Sequence, residues 1–309
     1  MTVNPTLDVS TSVARLLPEV KLRCEAERTE PGGGGLNAAR TIRALGGTAL
    51  ALHTSGVETG ERLCALLDAE GIDHRPIPIA WRTRESFAVI ERASERIFKF
   101  ILPGPALSAH EVDAILAALA AAVGDGDLVL ASGSLPPGAP DGLYGRFAAI
   151  AAGAGARLMV DSHGAALAGA LGPDLFMIKP NWRELDALVG HDRPPDDPRR
   201  RQDAVTLVES GRAEVVVVTE GASGAFVASA AGSFTVRPPD VEVLSPVGGG
   251  DAFAGAALLA LANGRSLEEA CRLGSAAAAA AVGTVGTAPP ARTDVERILE
   301  SVVVEPIEP

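Results

Sequence analysis

At 309 residues with 47% hydrophobic side chains, the chain is long enough to bury a substantial core and is neither disordered nor fibrous. Its net charge of −12 argues against nucleic-acid binding, which draws most of its affinity from lysine and arginine against phosphates. No run approaches the roughly 18 apolar residues of a membrane span, and MTVNPTLDVS lacks a basic segment followed by an apolar one, so a cytoplasmic protein with no membrane partner is expected.

Along the chain, EVKLRCEAER (19–28) has an alternating, polar pattern that predicts a strand with one wet face. EPGGGGLNAAR (30–40) sets four glycines directly before a helix. In a strand or helix interior each glycine would cost roughly 0.5–1 kcal/mol relative to alanine, so the run is a loop. It is either a flexible surface turn or a place where an anion or polyol meets bare backbone at a helix N-terminus. TALALHTSG reads as a strand and GERLCALLDAEGI as a helix closed by Gly71. ESFAVIERASERIFKFI (85–101) predicts a hairpin turning near Ser94 and Glu95. With 19–28 it would make a small sheet projecting as a lid or dimer surface, or else supply edge strands of the main sheet.

From there the pattern alternates strongly: DLVLASG, RLMVDS, LFMIKP and AEVVVVTEG as strands; GLYGRFAAIAAGAG, AALAGALG and NWRELDALVG as helices. Nearly all-apolar strands separated by helices imply a parallel sheet covered on both faces. HDRPPDDPRRRQD (191–203) reads as a solvated loop with its arginines serving solubility, and the alanine-rich stretch 274–283 as a tightly packed helix. Cys24, Cys64 and Cys271 form no CxxC and read as ordinary buried thiols, while the five histidines show no HxxxH or HxH spacing. Neither a disulfide framework nor a metal site is suggested.

The most informative stretch is SPVGGGDAFAGAALLALANG (245–264). Gly248, Gly249 and Gly250 would place free amides at a helix N-terminus, a cradle for charge on a transferred phosphoryl group. Asp251 in the same turn is either a base for an attacking hydroxyl or only a dipole-stabilising residue. Lys179, Asn181 and Glu184 follow a buried strand, so they lie at the carboxyl edge where parallel sheets bind ligands. The lysine suits a nucleotide phosphate; Asn181 and Glu184 suit hydrated Mg²⁺, and they equally fit a capping box. ASGSLPPG and VTEGASGAF put Ser134, Thr219, Gly221 and Gly224 at the same edge. No GxxxxGK[ST] or strand-borne GxGxxG is present, which leaves phosphoryl transfer by positioning and electrostatics. Of the 27 basic residues only Lys21, Lys99 and Lys179 are lysines, and all three fall in these segments.

PGGGGLNAAR, SGSLPPG, KPNWREL and VGGGDAFAGA, in this order, resemble the PfkB (ribokinase-like) sugar kinases from about Asn4 to Thr287. VKLRC followed by EPGGGGLNAAR looks closest to the 6-phosphofructokinase branch, since Gly34 stands where the 1-phosphofructokinases and tagatose-6-phosphate kinases usually carry lysine. The resemblance implies one α/β domain over 1–309, a central mostly parallel β-sheet flanked by helices, with a small β-sheet lid from about 7–30 and 84–102 that also forms a homodimer interface. It implies ATP, Mg²⁺ and fructose 6-phosphate as reactants, Asp251 as base and Gly248 to Gly250 as anion hole. Asp8, Gly33, Gly34 and Asn37 would hold sugar hydroxyls; Arg84, Lys99 and Ser134 the sugar phosphate; Lys21 would reach across the dimer. Lys179, Asn181, Glu184, Thr219, Gly221 and Gly224 would serve the nucleotide and Mg²⁺. Three departures stand out. Pro246 replaces the usual threonine or serine, Gly249 the usual alanine, and only Met1 to Val3 form the opening strand. A non-catalytic sugar-phosphate sensor on the same scaffold is a competing reading, opposed by the intact Gly-Gly-Asp.

Overall fold

The computed structural model describes every residue except Asp192, Pro195, Asp196, Pro198, Pro246, Val285, Glu308 and Pro309. Its first part contains β1 (Thr6–Val13), β2 (Arg28–Gly32), α1 (Gly34–Ala44), β3 (Ala51–Ser55), α2 (Val57–Ala69), β4 (His74–Pro78), β5 (Arg84–Glu91) and β6 (Arg96–Ile101). Then come α3 (Ala109–Ala120), β7 (Leu128–Ser132), α4 (Leu143–Gly153), β8 (Arg157–Asp161), α5 (Gly164–Ala168), β9 (Leu175–Ile178), α6 (Trp182–Val189), α7 (Arg199–Glu209) and β10 (Val215–Thr219). The last part is β11 (Ala225–Ser229), β12 (Gly232–Arg237), α8 (Gly249–Ala262), α9 (Leu267–Val282), α10 (Arg292–Leu299) and β13 (Val303–Ile307).

The apolar runs make the central sheet because every residue in them has a covered face to enter. In β10, Val216 and Val218 pack into the core that includes α3, α4 and α6. Val215 and Val217 point the other way, into the core built by α8, α9 and α10. A fully buried aliphatic side chain contributes roughly 1.5–3 kcal/mol, so a strand apolar on both faces is strongly held at the centre. The seven-stranded sheet runs β13-β12-β11-β10-β9-β8-β7. It is parallel from β7 to β10 and continues as an antiparallel meander through β11, β12 and β13. Residues 1–3 join this sheet to the parallel pair β3-β4. Thr2 N donates to Leu52 O at 2.9 Å on one side, and on the other the Met1 ammonium donates to Leu130 O at 2.6 Å.

A separate four-stranded sheet, β2-β1-β5-β6, stands apart from the main one, which excludes edge strands of the main sheet as the reading of these segments. The hairpin turns where expected, with Glu95 at φ 58. The register places Thr6, Asp8, Arg84, Ser86 and Lys99 on one face and Val9, Phe87 and Phe100 on the other. Phe87 and Phe100 are cross-strand partners and remain exposed in the single chain, at 38% and 47%.

Three expectations need correction. Residues 19–27 form no strand, and β2 begins only at Arg28; Glu25 N donates to Ser12 O and Thr11 Oγ1 donates to Glu25 O, which ties the segment to β1 at one residue, so its alternation reflects no pleat. The polar stretch 191–203 is not all loop, because α7 starts at Arg199, and Arg200 is buried in an ion pair with buried Asp186 instead of serving solubility. Of the three cysteines only Cys271 is buried; Cys24 is exposed and Cys64 half-buried.

Candidate active site

Parallel strands β7 to β10 present their carboxyl ends at one edge, and the glycine-opened N-terminus of α8 meets it there. Gly248 caps α8 in the left-handed region at φ 82, a conformation that glycine adopts without the strain of a Cβ. At the edge, Lys179 Nζ lies 3.0 Å from Asp161 Oδ1, both side chains largely buried. A Cβ on Gly250 would sit 3.2 Å from the same Nζ, so the ammonium stands against the first turn of α8. Asp251, one residue on, accepts a hydrogen bond from Asn37 Nδ2 at 2.9 Å. That meeting requires α1 and α8 to cross closely: a Cβ on Gly255 would come within 2.5 Å of Ala38 O.

The Asp251 carboxyl is pushed up to about 6, mainly by burial and then by the Asp161 charge, with Asn37 and Lys179 opposing. A carboxylate held near neutrality suits proton abstraction better than an ordinary exposed aspartate.

The glycine loop 32–35 links this carboxylate to the small sheet. A Cβ on Gly34 would strike Ser132 Oγ and lie 2.9 Å from Asp251 Oδ1; one on Gly32 would strike the Asp8 carboxylate. Gly33 takes φ 116, which also excludes a side chain. Burial raises Asp8 to about 6, against the Arg84 charge. Arg84, half-buried, donates to Leu102 O and Asn4 O, both at 3.1 Å, while its buried Nε has no partner among the described residues. Burial lowers both Arg84 and Lys99, and each is supported by the Asp8 charge. Asn4 Nδ2 donates to Ser134 Oγ at 3.2 Å, which draws Ser134 to the same group. Lys21 does not join it: the residue is exposed in the irregular segment 19–27 and makes no hydrogen bond or ion pair among the described residues.

On the far side of α8 a cavity of about 340 Å³ is lined by Thr219, Gly221, Gly224, Gly249, Gly250 and Phe253, among others. It brings the β10–β11 loop to the α8 N-terminus. Asn181 and Glu184 lie just outside its lining and form the capping box of α6: Glu184 N donates to Asn181 Oδ1 at 3.0 Å and Asn181 N to Glu184 Oε2 at 2.8 Å. Asn181 also bridges Thr219 in parallel pairing, so this cap sits beside the cavity. Pro246 lies outside the described residues.

Two residues of the site were not singled out from the sequence. Asp161 ends the apolar strand RLMVD, the same signal that marked Lys179. Arg40, in the quoted NAAR, is buried and donates to Asn37 Oδ1 at 3.3 Å and to Thr287 O at 2.9 Å, bracing the asparagine that holds Asp251.

A half-buried carboxylate near a lysine, at a glycine-opened helix N-terminus on the carboxyl edge of a ribokinase-like fold, suits the phosphoryl transfer of a carbohydrate kinase. The chain belongs to the pfkB family of carbohydrate kinases, whose model matches residues 4–294. It is 42% identical over 308 residues, 100% of this chain and 90% of the relative, to ATP-dependent 6-phosphofructokinase isozyme 2 of Mycobacterium tuberculosis. A 1-phosphofructokinase of Xanthomonas campestris is 31% identical over 281 residues, 89% and 88% of the two chains. Phosphofructokinase-2 of Escherichia coli, crystallised with fructose-6-phosphate, superposes with a TM-score of 0.90 at 37% identity, covering 97% and 96% of the two chains.

Proposed function

We propose that this chain transfers the γ-phosphoryl group of ATP to O1 of fructose 6-phosphate, giving fructose 1,6-bisphosphate. The observation that carries the reading is the glycine loop itself, which has Asp8 with its Arg84 and Lys99 neighbours at one end and Asp251 at the other. A phosphorylated sugar lying along bare backbone would place its phosphate toward Arg84, Lys99 and Ser134 and its reacting hydroxyl at Asp251. Asp8, Gly33, Gly34 and Asn37 are suited to the hydroxyls between. Asp251 Oδ takes the proton as the oxygen attacks, and the Gly248 to Gly250 amides with Lys179 stabilise the charge on the moving group.

The nucleotide fits the cavity at Thr219, Gly221 and Gly224, which opens onto Gly249 and Gly250. Mg²⁺ would be served by Asn181 and Glu184 through water: the donors are oxygens, and Glu184 Oε1 is outside the capping bonds. Bound there, the ion would neutralise phosphate charge. The small sheet would act as a lid that excludes water, within a single domain. A cytoplasmic location belongs to the same reading, because the reaction consumes ATP and the free thiols suit a reducing compartment.

A homodimer through the lid is part of the proposal, supported by the exposed Phe87–Phe100 face, and Lys21 would reach the partner's site from it. Phe100→Asp is expected to convert a dimer into a monomer in sedimentation velocity; an unchanged dimer would place the interface elsewhere.

The second reading is a 1-phosphofructokinase or tagatose-6-phosphate kinase, and the Xanthomonas relative favours the first of these. ADP release with MgATP on fructose 6-phosphate, fructose 1-phosphate, tagatose 6-phosphate, fructose and ribose separates the two. We expect kcat/KM for fructose 6-phosphate to exceed the others by at least about tenfold, a difference of about 1.4 kcal/mol in transition-state binding. Preference for another sugar phosphate would transfer the assignment to it, and silence on all five from a protein that still binds ATP would overturn both readings in favour of an acceptor outside this panel or of the sensor.

A further inference from the structure

The chain carries a second cluster of chemistry-bearing side chains that the kinase reaction does not use. His53 on β3, His74 on β4 and Cys64 on α2 bring one ligand atom each to within 4.8 Å of one another. None of the three was pointed to by sequence spacing, because the residues come from three elements and meet only when α2 packs on the β3-β4 pair.

Hydrogen-bond stoichiometry shows what the cluster lacks. His53 Nδ1 lies 3.0 Å from Thr54 O, which can only accept, so that nitrogen carries the hydrogen. His74 Nε2 lies 3.2 Å from the Asp68 carboxylate, which fixes its hydrogen likewise. Each neutral ring then has a bare nitrogen, and the two bare nitrogens, His53 Nε2 and His74 Nδ1, face each other at 3.0 Å. Two opposed lone pairs call for a cation between them. A proton would satisfy the pair and leave Cys64 idle, whereas a metal ion employs all three side chains.

We propose that His53 Nε2, His74 Nδ1 and Cys64 Sγ bind a zinc-class divalent ion, separate from the Mg²⁺ of the kinase reaction. The outer partners are those that metal-bound histidines require, a backbone carbonyl on one ring and a carboxylate on the other, each holding the ligating nitrogen bare. Two imidazole nitrogens on one tetrahedral zinc lie about 3.3 Å apart, so the 3.0 Å gap needs to open by only about 0.3 Å. Cys64 Sγ, 3.6 Å from Ser55 Oγ, lies within 4.8 Å of both nitrogens and has to close to about 3.5 Å of them on a tetrahedral zinc. The His53 and His74 side chains are buried, while Cys64 is half-buried and Asp68 beside His74 is exposed, so the ion would enter from the Cys64 and Asp68 side, where a water would complete the fourth position. A nitrogen and sulfur donor set selects zinc over Mg²⁺, which prefers oxygen and keeps its waters.

Co²⁺ titrated into the metal-free full-length protein is expected to give a thiolate-to-cobalt charge-transfer band, bleached by one Zn²⁺ per chain. Cys64→Ser should abolish the band and His74→Gln should weaken Zn²⁺ binding at least about tenfold. Asp68→Asn, at an exposed side chain that leaves folding intact, should weaken it about 10–100-fold while the band persists. Cys24→Ser should change nothing. A wild-type protein without the band, a band that survives Cys64→Ser, or Zn²⁺ affinity indifferent to both His74→Gln and Asp68→Asn would overturn the assignment.

Discussion

Replacing Asp251 by asparagine is expected to lower kcat by about 10²–10⁴ while leaving ATP binding nearly intact. The substitution preserves shape, and asparagine still accepts the Asn37 hydrogen bond through its own oxygen, so what disappears is the basic oxygen alone. Wild-type kcat/KM should fall about tenfold per pH unit below about 6, where the Asp251 carboxylate takes up its proton, and this acid limb should vanish from the residual rate of the variant. The sign follows from the role: a base works only when deprotonated, and burial together with Asp161 sets the point at which it ceases to be so. Near-normal turnover in Asp251→Asn, measured as ADP release with saturating sugar, would remove the base assignment outright.

Arg84→Ala is the second large effect. Its guanidinium is committed to two backbone carbonyls through Nη1 and Nη2, yet a buried Nε remains without a partner among the described residues, a costly arrangement unless an anion completes it. A charged hydrogen bond is worth about 1.5–3 kcal/mol, so KM for fructose 6-phosphate should rise about 10- to 150-fold, with little change for fructose. Equal increases for both sugars would mean that the arginine braces Asn4 and Leu102 and does not meet the phosphate.

The site was legible where its signals are local. A glycine run before a helix, an aspartate after glycines and a lysine at the end of an apolar strand each announce themselves within ten residues, and the fold then places Gly34, Asp251 and Lys179 together. Asn181 and Glu184 were legible in two ways, and their mutual cap is what the backbone geometry realises. Signals that depend on distant partners were not legible. Arg200 looked like part of a solvated run because nothing nearby in sequence reveals buried Asp186. The alternation of 19–27 looked like pleating because the pattern alone does not tell whether a neighbouring strand exists to pair with it. His53, Cys64 and His74 lie in three consecutive elements at spacings that no metal motif uses.

Asn37 and Asp251 are 214 residues apart in the chain, and their hydrogen bond exists only once α8 has docked against α1. The order of synthesis therefore matters to the site: the glycine loop leaves the ribosome long before the helix that carries Asp251 and the Gly248 to Gly250 amides. A nascent chain, or one cut before Gly248, lacks both of those parts whatever else it has folded. Closing so long a loop is slow, so the Asn37–Asp251 contact is among the long-range contacts that form late in folding.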